Sequence, residues 1–131
     1  MNKLMIGLLL VIAVVAVWAL GGQGSSAYKT VNVEEFEQLV KRDSVQLLDV
    51  RTQAEYDEGH LENALLIDVN GGSFLADAQA QLQKDKTVAV YCRSGRRSAS
   101  AAEKLGKDGF DVVNLDGGIT AWIEAGKDTV K

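Results

Sequence analysis

The sequence has one cysteine, Cys92, and one histidine, His60, in 131 residues. A single cysteine excludes an internal disulfide, and the lack of any Cys/His cluster excludes a structural zinc site. Positive charge is not in excess: 14 basic residues face 18 acidic ones, a net of −4. Nothing global therefore points to nucleic acid as a partner. There is no internal repeat, and low-complexity sequence is confined to one short linker. The length leaves room for one domain around one core.

Against this acidic background two stretches stand out. The first is an uninterrupted apolar run, Leu4 to Leu20, behind Met1-Asn2-Lys3. A helix of that run would span about 26 Å, close to a bilayer core of about 30 Å. It has no polar face, so a buried helix of a globular core is a poor reading. Residues 1–20 are read as a signal peptide or a transmembrane anchor, with the uncleaved anchor favoured. No cysteine follows the run, which excludes a lipoprotein anchor. Residues 21–27, rich in glycine and serine, form a flexible linker. Lys3 precedes the run and no further charge occurs before Lys29. The positive-inside rule then places the folded part, residues 28–131, outside the cytoplasm: periplasmic or extracytoplasmic, or held at the inner membrane by residues 4–20.

The second stretch is Thr87-Val88-Ala89-Val90-Tyr91-Cys92-Arg93-Ser94-Gly95-Arg96-Arg97-Ser98. An apolar, β-branched run ends at the cysteine. A short loop with Gly95 and three arginines follows, and an alanine-rich helix is predicted from Ser98 to about Lys107. A helix start offers unpaired N–H groups and the positive end of the macrodipole. Together with the guanidinium charges, these favour a thiolate, the nucleophilic form of Cys92. The local concentration of Arg93, Arg96 and Arg97 points to a small anionic substrate.

The remaining chain alternates strands and helices. Strands are predicted over Tyr28–Val31, Val45–Val50, Ala64–Val69 and Val112–Leu115. Asn32 and Thr52 are N-caps, each with a glutamate three positions on (Glu35 and Glu55) to close a capping box. Phe74 to Gln83 is helical, with Phe74, Leu75, Ala78 and Leu82 on one side. Gly109 ends the cysteine-loop helix, and Gly117-Gly118 turns into a last helix with Ile119, Trp122 and Ile123 on one face. This order means an α/β fold around a mostly parallel five-stranded sheet with helices on both faces. Ligands of such folds bind beyond the carboxyl ends of the strands, where Cys92 and Asp49 both fall. Asp49 is placed to hold the loop amides or to pair with an arginine. Arg51 is expected in an ion pair, with Glu55 as its partner.

Residues 28 to about 126 resemble a single rhodanese domain, of the thiosulfate sulfurtransferase family. The matching pieces are Leu47-Leu48-Asp49-Val50-Arg51, Glu55-Tyr56 leading to Gly59-His60-Leu61-Glu62-Asn63-Ala64, the Cys92 loop through Ser98, and Leu115-Asp116-Gly117-Gly118-Ile119-Thr120-Ala121-Trp122. Asn63 departs from the pattern, in which a small residue such as glycine is common. The resemblance implies that Cys92 attacks the outer sulfur of thiosulfate or a similar donor, becomes a persulfide, and passes the sulfur to cyanide or a thiol. It implies that the backbone of Arg93, Ser94, Gly95, Arg96 and Arg97 cradles the sulfur, and that one or two of the three arginines bind the donor's sulfonate oxygens. His60 would be structural, and no cofactor is called for. A phosphatase is the nearest rival enzyme. Related phosphatases use a Cys-x5-Arg loop, whereas Cys92 and Arg97 make Cys-x4-Arg. Arsenate reduction would also need a second cysteine. The other rival is a persulfide carrier or docking module tethered at a membrane.

Overall fold

A computed structural model describes residues 27–131. The predicted signal or anchor over 1–20, and linker residues 21–26, lie outside the described residues. Among the described residues, no helix is long and apolar enough to cross a membrane. In chain order the elements are β1 (Lys29–Val31), α1 (Val33–Val40), β2 (Val45–Asp49), α2 (Gln53–Glu58), β3 (Leu65–Leu66), α3 (Phe74–Gln81), β4 (Thr87–Tyr91), α4 (Arg96–Lys107), β5 (Val112–Leu115) and α5 (Gly118–Glu124). The five strands form one sheet in the order β1-β5-β4-β2-β3, and every neighbouring pair is parallel.

Strand periodicity divides the core in two. Leu48 and Val50, with Val88 and Val90, point to one face, where α3 and α4 cover them with Phe74, Ala78, Ala101, Ala102 and Leu105. Leu47, Ala89, Tyr91, Val113 and Leu115 point to the other, under Phe36 of α1 and Ile119 and Trp122 of α5. The Phe36 and Trp122 rings meet edge to face, 6.5 Å apart. A sheet buried on both sides explains why its inner strands read as continuous apolar runs.

Four local expectations change. β3 is only Leu65–Leu66 instead of Ala64–Val69. The chain beyond it still follows β2, with Ile67 donating to the Asp49 carbonyl and Val69 to the Val50 carbonyl, but without the regular ladder of a strand. α4 begins at Arg96, not Ser98, because Gly95 adopts the left-handed conformation (φ 103°) that starts the helix there. Leu75 and Ile123 are 38% and 55% exposed. Each sits one residue, about 100°, away from a buried neighbour on its helix, Phe74 and Trp122 respectively. Asn32 does cap α1 by accepting from the Glu35 amide at 2.9 Å. The Glu35 carboxylate instead lies 3.9 Å from Lys29, so only half of that capping box forms. The Thr52–Glu55 box on α2 is complete. Asn63 has φ 70°, in the left-handed region that glycine favours and asparagine tolerates.

Candidate active site

β4 is the middle strand, and its buried run delivers Cys92 to the carboxyl edge of the sheet. The loop from Arg93 to Gly95 then turns sharply into α4. Its carbonyls face away from the sulfur, towards the start of α5: the Ile119 amide donates to the Cys92 carbonyl at 2.9 Å and the Thr120 amide to the Arg93 carbonyl at 3.1 Å. The loop amides are left for the sulfur. The Gly95 amide donates to Cys92 Sγ at 3.1 Å. Cys92 itself is completely buried. That burial pushes the thiol up, but the Ser98 hydroxyl and the amides of Ser98, Gly95 and Ser94 outweigh it, and the net shift is downward.

Gly118 makes this close approach possible. Its φ is +60°, and a Cβ there would lie 2.5 Å from the Cys92 carbonyl oxygen and closer still to the Arg93 carbonyl oxygen. Gly118→Ala is expected to cost about 2–4 kcal/mol, from left-handed strain and from overpacking against unyielding backbone. Displacing the loop by about 1 Å is expected to lower activity about 100-fold. Urea unfolding, with Cys92 alkylation rates on the folded variant, measures both effects.

The three loop arginines have different surroundings. Arg97 makes a two-pronged pair with Glu55, Nη1 to Oε1 at 2.7 Å and Nη2 to Oε2 at 2.8 Å. Arg93 Nε lies 3.6 Å from the same carboxylate, with a side chain 64% exposed. Arg96 is exposed, and among the described residues no ion pair involves it. Glu55 also accepts from the Thr52 amide and hydroxyl. Hydrogen bonding from Arg97, assisted by Thr52, overcomes the opposing effect of burial and lowers Glu55 to about 2. A carboxylate depressed in the folded state stabilises the fold above its ordinary pKa and loses that contribution as pH falls through the depressed one. The Glu55 anchor is thus complete above about pH 4.5 and fades towards pH 2. Replacing Glu55 by glutamine is expected to remove about 1–2 kcal/mol at neutral pH and to flatten this acid limb. Urea midpoints between pH 2.5 and 7 would show it; equal slopes for both proteins would refute it.

Asp49 and Arg51 form a second, buried group. Asp49 accepts from the Arg51 amide (2.9 Å), from Arg51 Nε (3.0 and 3.1 Å) and Nη2 (2.7 Å), and from the Tyr91 hydroxyl (2.7 Å). Arg51 also reaches the Gly59 carbonyl at 2.7 Å, and the Tyr91 oxygen accepts from the Leu61 amide at 3.0 Å. The partner of Arg51 is therefore Asp49 rather than Glu55. Asp49 and Arg51 are two apart on extended backbone and share a face, whereas Glu55 is turned away on α2. Of the two alternatives for Asp49, the arginine pair holds. Its bond to a backbone amide is to Arg51, outside the cysteine loop. Burial, then the Asp49 charge, keeps the Tyr91 phenol far above its usual range and so a neutral donor.

His60 stacks on Tyr56, ring centroids 3.6 Å apart, and its Nδ1 donates to the Tyr56 carbonyl at 2.8 Å. A carbonyl only accepts, so Nδ1 carries the proton. This bond and this stack commit the ring to packing. Trp122 Nε1 donates to the Asp128 carbonyl at 2.8 Å, a packing role as well. Beside the loop lies a cleft of about 360 Å³ lined by Glu55, Glu58, Arg93, Thr120 and Ile123. A larger cleft of about 730 Å³, lined by Lys41, Arg42, Val45 and Asn63, includes no residue of the cysteine loop.

Three residues gain importance that their sequence context did not announce. In the sequence Glu55 looks like a cap partner and a partner for Arg51, not the anchor of Arg97. Gly118 looked like turn geometry. Ser98 looked like the start of a helix, but lies completely buried beside the sulfur.

These features define a class: an α/β domain with a buried, thiolate-favouring cysteine in an amide-lined loop at the carboxyl edge of a parallel sheet. Residues 32–125 match the rhodanese-like domain, and the chain belongs to that family. It is 35% identical over 101 residues to the thiosulfate sulfurtransferase GlpE of Shewanella oneidensis, covering 76% of this chain and 97% of that protein. It is 36% identical over 91 residues to a sulfurtransferase of Allochromatium vinosum, covering 69% and 82% respectively. Its fold is similar to the crystal structure of a rhodanese-related protein from Thermoplasma volcanium, with a TM-score of 0.70 and 35% identity over 79% of this chain and 98% of that one.

Proposed function

We propose that this domain is a sulfurtransferase that moves sulfane sulfur from thiosulfate, or a similar small anionic donor, to cyanide or a thiol through a persulfide on Cys92. The observation that carries the reading is the buried Cys92 sulfur, facing the loop amides, with a pKa lowered towards the thiolate. The named sulfurtransferases among its relatives support it.

In the first step the Cys92 thiolate attacks the outer sulfur of thiosulfate. A Cys–S bond forms, the donor's S–S bond breaks, and sulfite leaves with the bonding pair. In the second, the acceptor attacks the outer persulfide sulfur and Cys92 departs as thiolate. No oxidant or reductant is consumed. The backbone of Arg93 to Arg97 holds the added sulfur, and Arg93 and Arg96 take the donor's sulfonate oxygens, since their side chains are exposed at the loop. Arg97 braces the loop through Glu55. The loop length weighs against the phosphatase reading, since Cys92 and Arg97 make Cys-x4-Arg where related phosphatases have Cys-x5-Arg.

We propose the extracytoplasmic side for the domain, on the strength of Lys3 and the apolar run Leu4–Leu20. A membrane-impermeant thiol reagent that labels Cys92 in intact spheroplasts supports that side; labelling only after lysis refutes it.

The test of function is intact-mass analysis of the purified full chain. Thiosulfate alone should add one sulfur atom, and cyanide should remove it and release thiocyanate over repeated turnovers. One sulfur added but a single turnover only would mark a carrier. No sulfur added, with p-nitrophenyl phosphate hydrolysed instead, would establish the phosphatase.

A further inference from the structure

The cleft of about 360 Å³ beside the cysteine loop is walled by three fixed elements. α5 supplies Thr120 and Ile123, and its first amides are bonded to the Cys92 and Arg93 carbonyls. The C-terminal segment supplies Thr129, held next to Gly59 by paired backbone bonds between His60 and Val130 (2.9 and 2.8 Å). α2 supplies Glu55 and Glu58. Glu55 joins the cleft to the sulfur. It holds Arg97, whose pKa is raised first by that hydrogen bond, against the effect of burial, and also by attraction to Cys92. Cyanide is a diatomic ion, and thiosulfate is little larger than sulfate. The cleft has room for a much bigger body, since a water takes only about 30 Å³ of the liquid.

The lining also carries charges that the fold does not use. Arg93 is 64% exposed and meets Glu55 only through Nε, at 3.6 Å, while both oxygens of that carboxylate are taken at shorter range by Arg97. Glu58 is exposed at the last position of α2, where the helix dipole disfavours an anion. Among the described residues no ion pair includes it. Ile123 gives the same cleft an apolar wall, 55% exposed.

We infer that the sulfur acceptor is a zwitterionic organic thiol of the cysteine type, whose carboxylate pairs with Arg93 and whose ammonium pairs with Glu58 while its hydrocarbon lies against Ile123. This rests on the sulfurtransferase reading. A cation and an anion on one small cleft match a ligand that carries both signs, and each would be drawn to its opposite there. Arg93 can serve both half-reactions, because sulfite has left with its sulfonate oxygens before the acceptor arrives. The acceptor thiolate then attacks the outer persulfide sulfur, leaves as a hydropersulfide anion, and returns Cys92 as thiolate. Glu58 and Ile123 are thus specificity residues for the second half-reaction and take no part in the first.

The test loads the full chain, Glu58→Gln and Arg93→Gln with inorganic polysulfide, removes the excess, and follows discharge by intact mass. The acceptors are cysteine, cysteamine, mercaptopropionate and mercaptoethanol, and each rate is taken relative to mercaptoethanol, which carries neither charge, with the same protein. Glu58→Gln is expected to slow discharge to cysteine and cysteamine about fivefold, the worth of a well-placed exposed ion pair, and not to slow mercaptopropionate. Arg93→Gln should slow cysteine and mercaptopropionate by a similar factor and spare cysteamine. Both side chains are exposed, so both variants should fold. Relative rates that do not change overturn the inference. So does a variant that slows all the acceptors alike, mercaptoethanol included, because a general loss is not recognition of the acceptor's charge. Uptake of sulfur from thiosulfate by the parent is measured alongside. Uptake without charge selectivity at discharge keeps the sulfurtransferase reading and removes the acceptor assignment. Charge selectivity after polysulfide loading, with no uptake from thiosulfate, does the reverse.

Discussion

Cys92→Ser is expected to yield a folded protein that accepts no sulfur from thiosulfate and forms thiocyanate no faster than buffer. There is no substitute nucleophile. Cys92 is the only cysteine, and the Tyr91 phenol beside it is held neutral by burial and by Asp49. The single histidine is committed to Tyr56. A serine hydroxyl in the same cradle is a far weaker nucleophile towards sulfur, because the amides that stabilise a thiolate do not ionise an alcohol. The fold should survive, since serine can still accept from the Gly95 amide, and the stability change should stay within about 1 kcal/mol. The pH dependence of the parent is part of the same prediction. The lowered Cys92 pKa means that alkylation, and sulfur uptake with it, titrates at lower pH than for an unperturbed thiol. Sulfur bound by Cys92→Ser, or a parent profile that titrates as an unperturbed thiol, would contradict the proposed chemistry.

Much of this was legible in the chain because it is local. The strand-loop-helix at Cys92 follows from an apolar run meeting Gly95 and a helical segment. The Thr52–Glu55 box follows from a three-residue spacing. Both core faces follow from alternation along β2 and β4. What was not legible depends on distant residues meeting. Arg93, Arg96 and Arg97 are alike in sequence, and only the arrival of Glu55, 42 residues before Arg97, distinguishes them. Gly118 looked like half of an ordinary turn until α5 was seen to dock its first amides on the loop carbonyls. Ser98 was invisible as a site residue because its burial beside the sulfur is not written in the residue type. The misplaced partner of Arg51 has a plainer cause. A four-residue spacing to Glu55 suggests a helical pair, but Arg51 lies before the α2 cap, where extended geometry aligns it with Asp49.

That Asp49–Arg51 pair carries the second large effect. Asp49→Ala is expected to destabilise the domain by about 3–5 kcal/mol, a large share of the roughly 5–15 kcal/mol that holds a typical domain folded. Asp49 is fully buried and the Arg51 side chain is 5% exposed. Removing the carboxylate strands a guanidinium that cannot shed its proton. In the parent, burial opposes the Arg51 charge, but hydrogen bonding and attraction from Asp49 more than compensate and raise its pKa further. The Tyr91 hydroxyl loses its acceptor at the same time. The cost is that of an isolated charge rather than the net worth of the pair, which a second variant separates. Asp49→Leu combined with Arg51→Met removes both charges and should regain most of the lost stability. Urea unfolding of the parent, both single variants and the double variant gives the coupling directly. A loss below about 1 kcal/mol for Asp49→Ala would mean that water reaches Arg51 and that the network is not what holds β2, β4 and the Gly59–Leu61 segment together. A large loss that the double variant fails to regain would mean that the hydrogen bonds, not the isolated charge, set the cost. Because Tyr91 immediately precedes the completely buried Cys92, a partly folded Asp49 variant should also show faster Cys92 alkylation at equal thiolate fraction, which links the buried pair to the shielding of the nucleophile.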